Sequence, residues 1–347
     1  MECQYYCLRY LVSRTMTIKR SVGIEYTDSN AVLIGILVPF RALMLTANGD
    51  LRGKSGMVAQ HCHSAVDTSF AALGPAKVAF LGVVQGITEL LPVSSSAHMR
   101  AIPALLGWPD PGAAFSAAMQ LAALAAVVTY FGAEILSVTT GSVRALGARQ
   151  WRNRDLIFAA GVIVATIPIV IVGASLANII NACGSPLRTP MVVGIACFVM
   201  ALLMGAAELF ARHTRSAERM TLLDALLIGI AQVGALIPGV SRSGSTFTAA
   251  MFLGFNREDA ARISFLLGVP AIALAGGKEL WVLHQAQIDP TAWKMLAIGL
   301  VVSSASAFVA VWGLMRFLRH STTWALVIYR AAFGLVLIAG AAMGWIS

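Results

Sequence analysis

Six stretches of this chain are long, apolar and nearly free of charge, at about 113–132, 156–176, 190–211, 262–283, 292–314 and 324–346. A helix needs about 20 mostly apolar residues to cross the hydrocarbon of a bilayer, and these runs reach that length. A water-soluble fold has no surface on which to hide six of them. The composition agrees: 58% of the 347 residues are A, V, I, L, M, F, W, Y or C and only 12% are charged, against roughly 25% charged in soluble domains. A soluble enzyme and a disordered chain are excluded. The five cysteines are an odd number with no C-x-x-C pair, so no disulfide framework or zinc ribbon is implied. His61-Cys62-His63 lacks a second ligand pair and reads as a polar stretch.

The net charge of +9 is accounted for by short loops between the apolar runs, where Lys and Arg hold loops on the cytoplasmic side. A nucleic-acid partner, which needs clustered basic residues with stacking aromatics, is therefore excluded.

Two further apolar stretches are too short to span. Residues 76–91 run into Pro92 and Ser94-Ser95-Ser96, and residues 222–237 run into Pro238-Gly239 and Ser241-Arg242-Ser243-Gly244-Ser245-Thr246. Each is broken and then continues as a mildly apolar segment, the pattern of a re-entrant hairpin. Such backbone is tolerated at membrane depth only where protein buries it or a wet cavity receives it. The two stretches also align without gaps. Gly82-Val83-Val84-Gln85 matches Gly229-Ile230-Ala231-Gln232, and Ser94 and Ser96 fall on Ser241 and Ser243, an offset of 147 residues. The chain therefore reads as two related halves.

Loop charge gives the topology. Arg144, Arg149, Arg152 and Arg154, then Arg212, Arg215 and Arg219, then Arg316 and Arg319 lie in alternate loops, whereas 177–189 holds only Arg188 and 284–291 holds no Lys or Arg. Placing the basic loops inside satisfies all six spans. The first hairpin then enters from outside and the second from inside, an inverted repeat whose tips meet near the midplane. The expected fold is an all-α polytopic membrane protein with six spanning helices and two re-entrant helical hairpins. Residues 1–70 are set apart as an extension of unassigned role. Their run 31–47 is short and interrupted by Arg41, and it reads as an extra span, a degenerate signal sequence or translation ahead of a start at Met57. Residues 71–347 form the membrane unit.

Glu89 is the one carboxylate in the middle of an apolar stretch, and an ionisable group at that depth is a functional hypothesis by default. Gln85 precedes it by four residues and shares its helical face. His98 comes after the serines in the same motif. Arg242 stands in the other tip, and its planar fork suits a phosphate, with the hydroxyls of Ser94, Ser96, Ser241, Ser243 and Thr246 completing an anion cradle. A purely structural Glu89–Arg242 pair would leave the serine clusters without a role. A carboxylate, an imidazole, hydroxyls and a guanidinium suit phosphoryl chemistry on a substrate that lives in the bilayer. In that reading Arg242 neutralises developing charge, Glu89 with His98 manages protons or a divalent metal, and a serine is the nucleophile.

Gln85-Gly86-Ile87-Thr88-Glu89-Leu90-Leu91-Pro92-Val93-Ser94-Ser95-Ser96-Ala97-His98 resembles the first signature of the undecaprenyl-diphosphatases linked to bacitracin resistance, and Pro238-Gly239-Val240-Ser241-Arg242-Ser243-Gly244-Ser245-Thr246 resembles the second. Gln120-Leu121, Ser264-Phe265-Leu266-Leu267-Gly268-Val269-Pro270 and Tyr329-Arg330 also fit, while Ala97 stands where glycine is common. The likeness covers about 72–347. It implies hydrolysis of undecaprenyl diphosphate to undecaprenyl phosphate and inorganic phosphate, which recycles the lipid carrier for peptidoglycan. It further implies the bacterial inner membrane, a site open to the periplasm, and a divalent cation (Mg or Ca) held by Glu89. Carried over, the catalytic positions are Glu89, Ser95, His98 and Arg242, with Gln85 at the variable acidic position. A homodimer is compatible with this reading.

Three rival readings compete with it. A polyprenyl-phosphate transporter or flippase shares the inverted-repeat architecture but needs no nucleophile or proton carrier. The acid-phosphatase-like class of membrane lipid phosphatase needs a His and an Asp after Ser-Arg, which Ser241-Arg242 lacks. A purely structural bundle leaves Glu89 and Arg242 unexplained.

Overall fold

The computed structural model describes residues 68–180 and 186–345. The expectations for residues 1–67, including the run 31–47 and His61-Cys62-His63, lie outside them. The described chain opens with a 3-10 turn, Ser69–Leu73, whose Phe70 is buried and stacks on Phe115. This anchor falls just before residue 71, where the sequence sets the start of the membrane unit.

The hairpins appear where the serine-rich breaks place them. The first is α1 (Pro75–Leu90) and α2 (Ser95–Leu105). The second is α7 (Leu222–Val233), a 3-10 turn Gly234–Leu236, and α8 (Arg242–Phe252). Both bounds of α2 and α8 differ by the 147-residue offset read from the sequence. Between and after them run α3 (Ala113–Tyr130), α4 (Gly132–Gly147), α5 (Arg154–Ile180), α6 (Pro190–Phe210), α9 (Arg257–Gln285), α10 (Pro290–His320) and α11 (Trp324–Ala342). Local signals set several starts. Thr221 and Asp224 form a reciprocal capping box on α7, Asn256 caps α9, and Asp289 caps α10 just ahead of Pro290.

Among the described residues, five helices are long and apolar enough to cross a membrane, six when α3 and α4 count together. The expected first span, 113–132, corresponds to α3, and what the sequence does not anticipate is the helix that follows it. Helix α3 stops at Phe131, where the chain turns through 74° into α4. The apolar run ends at the same place, but Leu136, Val138 and Val143 continue a helical pattern in what the charge pattern marks as loop.

Packing exchanges the halves. The first helix of each hairpin lies on a long helix of the other half, α1 on α10 and α7 on α5, while α6 packs on α11. Small residues permit these approaches. A Cβ on Gly86 would meet the Ser303 carbonyl and the Ser306 hydroxyl of α10, and one on Gly229 would meet the backbone of Ala165 in α5. Ion pairs gather at one end of the bundle: Arg215–Asp224 (2.6 Å), Arg262–Glu134 (2.6 Å), Arg319–Glu258 (2.8 Å) and Arg257–Glu208. That is the end the basic loops assign to the inside.

Candidate active site

Both hairpins break in the same manner. Pro92 and Pro238 lack the N–H that a continuing helix requires. At the first residue before each returning helix the backbone enters the left-handed region, φ 75° at Ser94 and 67° at Ser241. For a residue with a Cβ such a conformation costs on the order of 1–3 kcal/mol and persists only where surroundings enforce it. Those surroundings are the opposite tip. The Gly239 N–H donates to the Ser96 hydroxyl (3.3 Å), which lies 3.3 Å from the Ser94 hydroxyl. In return, the Gly244 N–H donates to Ser241 Oγ (3.2 Å), Ser241 Oγ lies 3.2 Å from Ser243 Oγ, and Ser243 donates to the carbonyl of Glu89 (3.1 Å). Ser96 and Ser243 thus stitch one tip to the other, and Ser94 and Ser241 support them from within their own tips.

Arg330 of α11 completes the clamp. It is 0% exposed. Its Nη1 donates to the Pro92 carbonyl (2.7 Å), Nη2 to those of Gly239 (2.8 Å) and Val240 (2.5 Å), and Nε to that of Cys197 (3.2 Å). The guanidinium therefore answers the freed carbonyls of both breaks at once. Gly244 makes room for it, since a Cβ there would strike Nη1.

On this frame sit the candidate reactive groups. Glu89 lies at the C-terminal end of α1 with its carboxylate buried. Gln85, one turn earlier, donates its amide to Glu89 Oε2 at 2.9 Å, and the Ser95 hydroxyl donates to the same oxygen at 2.5 Å. Arg242 arrives from the other half, its Nη2 3.7 Å from Glu89 Oε1. Both terminal nitrogens of Arg242 are buried without a hydrogen-bond partner. A guanidinium desolvated in this way is short of acceptors, and an anion with several oxygens supplies them. Gly268 of α9 forms the seat, because a Cβ there would overlap Arg242 Nη1.

The structure brings Gln85, Glu89, Ser95 and Arg242 together and puts two expected residues elsewhere. The His98 Nδ1 lies 2.8 Å from the Ser94 carbonyl, which can only accept, so Nδ1 carries the proton and Nε2 faces the Tyr329 hydroxyl at 2.7 Å. Its ring stacks on Phe333 at 4.0 Å. His98 thus holds the Ser94 corner and communicates with Tyr329, with no hydrogen bond to Glu89 among the described residues. Thr246 turns away as well: its hydroxyl lies 2.9 Å from the Arg242 carbonyl and 2.5 Å from Ser264 Oγ, joining α8 to α9. In the sequence Arg330, Tyr329 and Gly268 stand out only as matches to the family pattern. Arg330 carries a signal nonetheless, since an arginine six residues into an apolar run calls for the same explanation as Glu89.

Glu89 and the Ser95 hydroxyl offer hard oxygens, the kind that Mg and Ca prefer, while Gln85 presents its amide nitrogen and Arg242 a guanidinium. Among the described residues no three of His, Cys, Asp and Glu come together. One carboxylate with neighbouring hydroxyls fits a cation that a diphosphate brings with it, and does not fit an all-protein cage.

Fold and site define a multi-pass membrane protein in which two inverted hairpins build a buried carboxylate–guanidinium centre suited to an anion. The family model described as "Bacitracin resistance protein BacA" matches residues 78–336, and the chain belongs to that family. It is 59% identical over 264 residues to undecaprenyl-diphosphatase 2 of Mesorhizobium japonicum, covering 76% of this chain and 100% of that protein. It is 47% identical to an undecaprenyl-diphosphatase of Gloeobacter violaceus (76% and 91% covered) and 42% identical to one of Trichormus variabilis (76% and 83% covered).

Proposed function

We propose that this protein hydrolyses undecaprenyl diphosphate to undecaprenyl phosphate and inorganic phosphate, with its site open to the periplasmic face of the bacterial inner membrane. The observation that carries the reading is Arg242, whose two buried unpartnered nitrogens stand beside a carboxylate already bonded to a serine.

In the reaction Arg242 binds the terminal phosphate, and its charge grows in value as negative charge develops on the equatorial oxygens. Ser95 Oγ attacks the terminal phosphorus while Glu89 takes its proton, and the bond to the bridging oxygen breaks. Undecaprenyl phosphate leaves already ionised and needs no proton. Water then attacks the phosphoserine, the phosphorus–Oγ bond breaks, Oγ recovers the proton from Glu89, and dihydrogen phosphate departs. Gln85 holds the Glu89 carboxylate on the side facing Ser95. His98 holds the Ser94 corner in its left-handed turn and orients the Tyr329 hydroxyl. A divalent cation bound through the substrate, with Glu89 as its one protein carboxylate, would neutralise diphosphate charge. A transporter would have no use for a serine hydroxyl 2.5 Å from a buried carboxylate.

The test is phosphate release by detergent-purified protein from undecaprenyl or farnesyl diphosphate, with and without a chelator. Release that falls by about a hundredfold or more in Glu89→Gln and Arg242→Ala supports the reading, in line with removal of a charge-stabilising group. Absence of release from well-folded wild type contradicts it. Release indifferent to the chelator removes the cation from the account.

A further inference from the structure

Helix α4 turns polar groups inward and its large apolar side chains outward. Its inner face carries polar groups beside the buried Ala145: Glu134 pairs with Arg262 of α9, Gly141 lies against the Asp155 carboxylate of α5, and Ser142 is buried. Its outer face presents Leu136 (65% exposed), Val143 (64%) and Leu146 among the hydroxyls of Ser137, Thr139 and Thr140. The two threonines on that face turn their hydroxyls back to the helix, Thr139 to the Ile135 carbonyl (2.6 Å) and Thr140 to that of Leu136 (2.9 Å). Such back-bonding leaves their oxygens satisfied without water. An outward face of this kind suits the boundary between headgroups and acyl chains. The 74° turn at Phe131 carries α4 out of line with α3.

The residues at the far end of α4 narrow the occupant. Arg144, Arg149 and Arg152 are exposed, and Trp151, an interfacial residue by chemistry, is 67% exposed beside them. At the same end of the bundle Arg154, Arg215, Arg257, Arg262 and Arg319 each pair with a carboxylate. Arg144, Arg149 and Arg152 have no ion pair among the described residues, as is also true of Arg212, Arg219 and Arg316, and they are the three that adjoin the apolar side chains of α4. Three unspent cations next to those side chains complement an anionic lipid surface, where each adds roughly fivefold to binding.

We propose that α4 and the turn 148–153 form an interfacial anchor that binds anionic phospholipid headgroups of the leaflet at the basic end of the bundle. The assignment does not depend on the diphosphatase reading, because none of these residues touches Glu89, Ser95 or Arg242.

The experiment is native mass spectrometry of the full-length protein in detergent, titrated separately with phosphatidylglycerol and phosphatidylcholine. Wild type is expected to retain phosphatidylglycerol preferentially. In Arg144→Gln/Arg149→Gln/Arg152→Gln the preference should fall on the order of tenfold or more. The matching triple Lys variant should keep it, which separates charge from misfolding, and phosphate release should be unchanged in both. An undiminished preference in the Gln variant overturns the proposal. So does a stable dimer that dissociates on Leu136→Ser/Val143→Ser, since that result would give the face to a second copy of the chain.

Discussion

At the scale of single residues the site is defined by what Arg242 lacks. A desolvated guanidinium whose nearest carboxylate is 3.7 Å away, and whose terminal nitrogens have no hydrogen-bond partner, is held ready for a ligand by the chain around it. Its position rests on the bare Cα of Gly268. Gly268→Ala should therefore lower phosphate release by about a hundredfold, the loss expected from displacing a catalytic group by about 1 Å, while the purified protein keeps its thermal midpoint within a few degrees. Ser95→Ala tests the nucleophile. Residual release should fall below about one-thousandth of wild type, with no phosphate left on the protein after denaturing quench, where wild type retains some. Glu89, Ser95 and Arg242 were legible because a charge or a serine cluster in apolar sequence demands a reason. The partners of His98 were not, because Tyr329 lies 231 residues away and its contact depends on how α11 packs.

At the scale of elements the hairpin breaks matter most, since each frees backbone carbonyls at membrane depth and each strains one serine. Arg330 answers both breaks with one side chain. Arg330→Met, which keeps volume and removes the donors, should cost about 3 kcal/mol or more, because each buried carbonyl left unpaired costs about 1–3 kcal/mol. Arg330→Lys should recover only part of that, as an ammonium cannot reach carbonyls on two tips with a planar fork. Thermal unfolding in one detergent checks both, and equal stability of wild type and Arg330→Met would remove the clamp from the account. The Pro and Ser punctuation announced these breaks in the sequence, down to the 147-residue register. The bend at Phe131 was not announced. Apolar residues continue across it, and only Glu134, drawn to Arg262 of α9, shows why the chain turns there.

For the whole molecule, the inverted repeat explains why a site can form between hairpins that carry different residues. Ser94 and Ser241 are equivalents and do the same structural work, whereas Ser95 and Arg242 are equivalents and differ. The repeat supplies the frame, and its departures from symmetry place the groups of the proposed chemistry. The topology is open to direct test. A cysteine at Ser216 should be shielded from a membrane-impermeant thiol reagent in intact cells and one at Gln287 should react, with the reverse pattern contradicting the orientation read from loop charge. The central claim is that two halves build one site from Glu89 and Arg242. A double-mutant cycle in phosphate release addresses it most directly: wild type, Glu89→Gln, Arg242→Gln and the double variant, all in one detergent. The double variant should be no slower than the worse single variant, because either change already disables the shared centre. Losses that multiply would mean that the two residues act independently, and would contradict a single site spanning the hairpin tips.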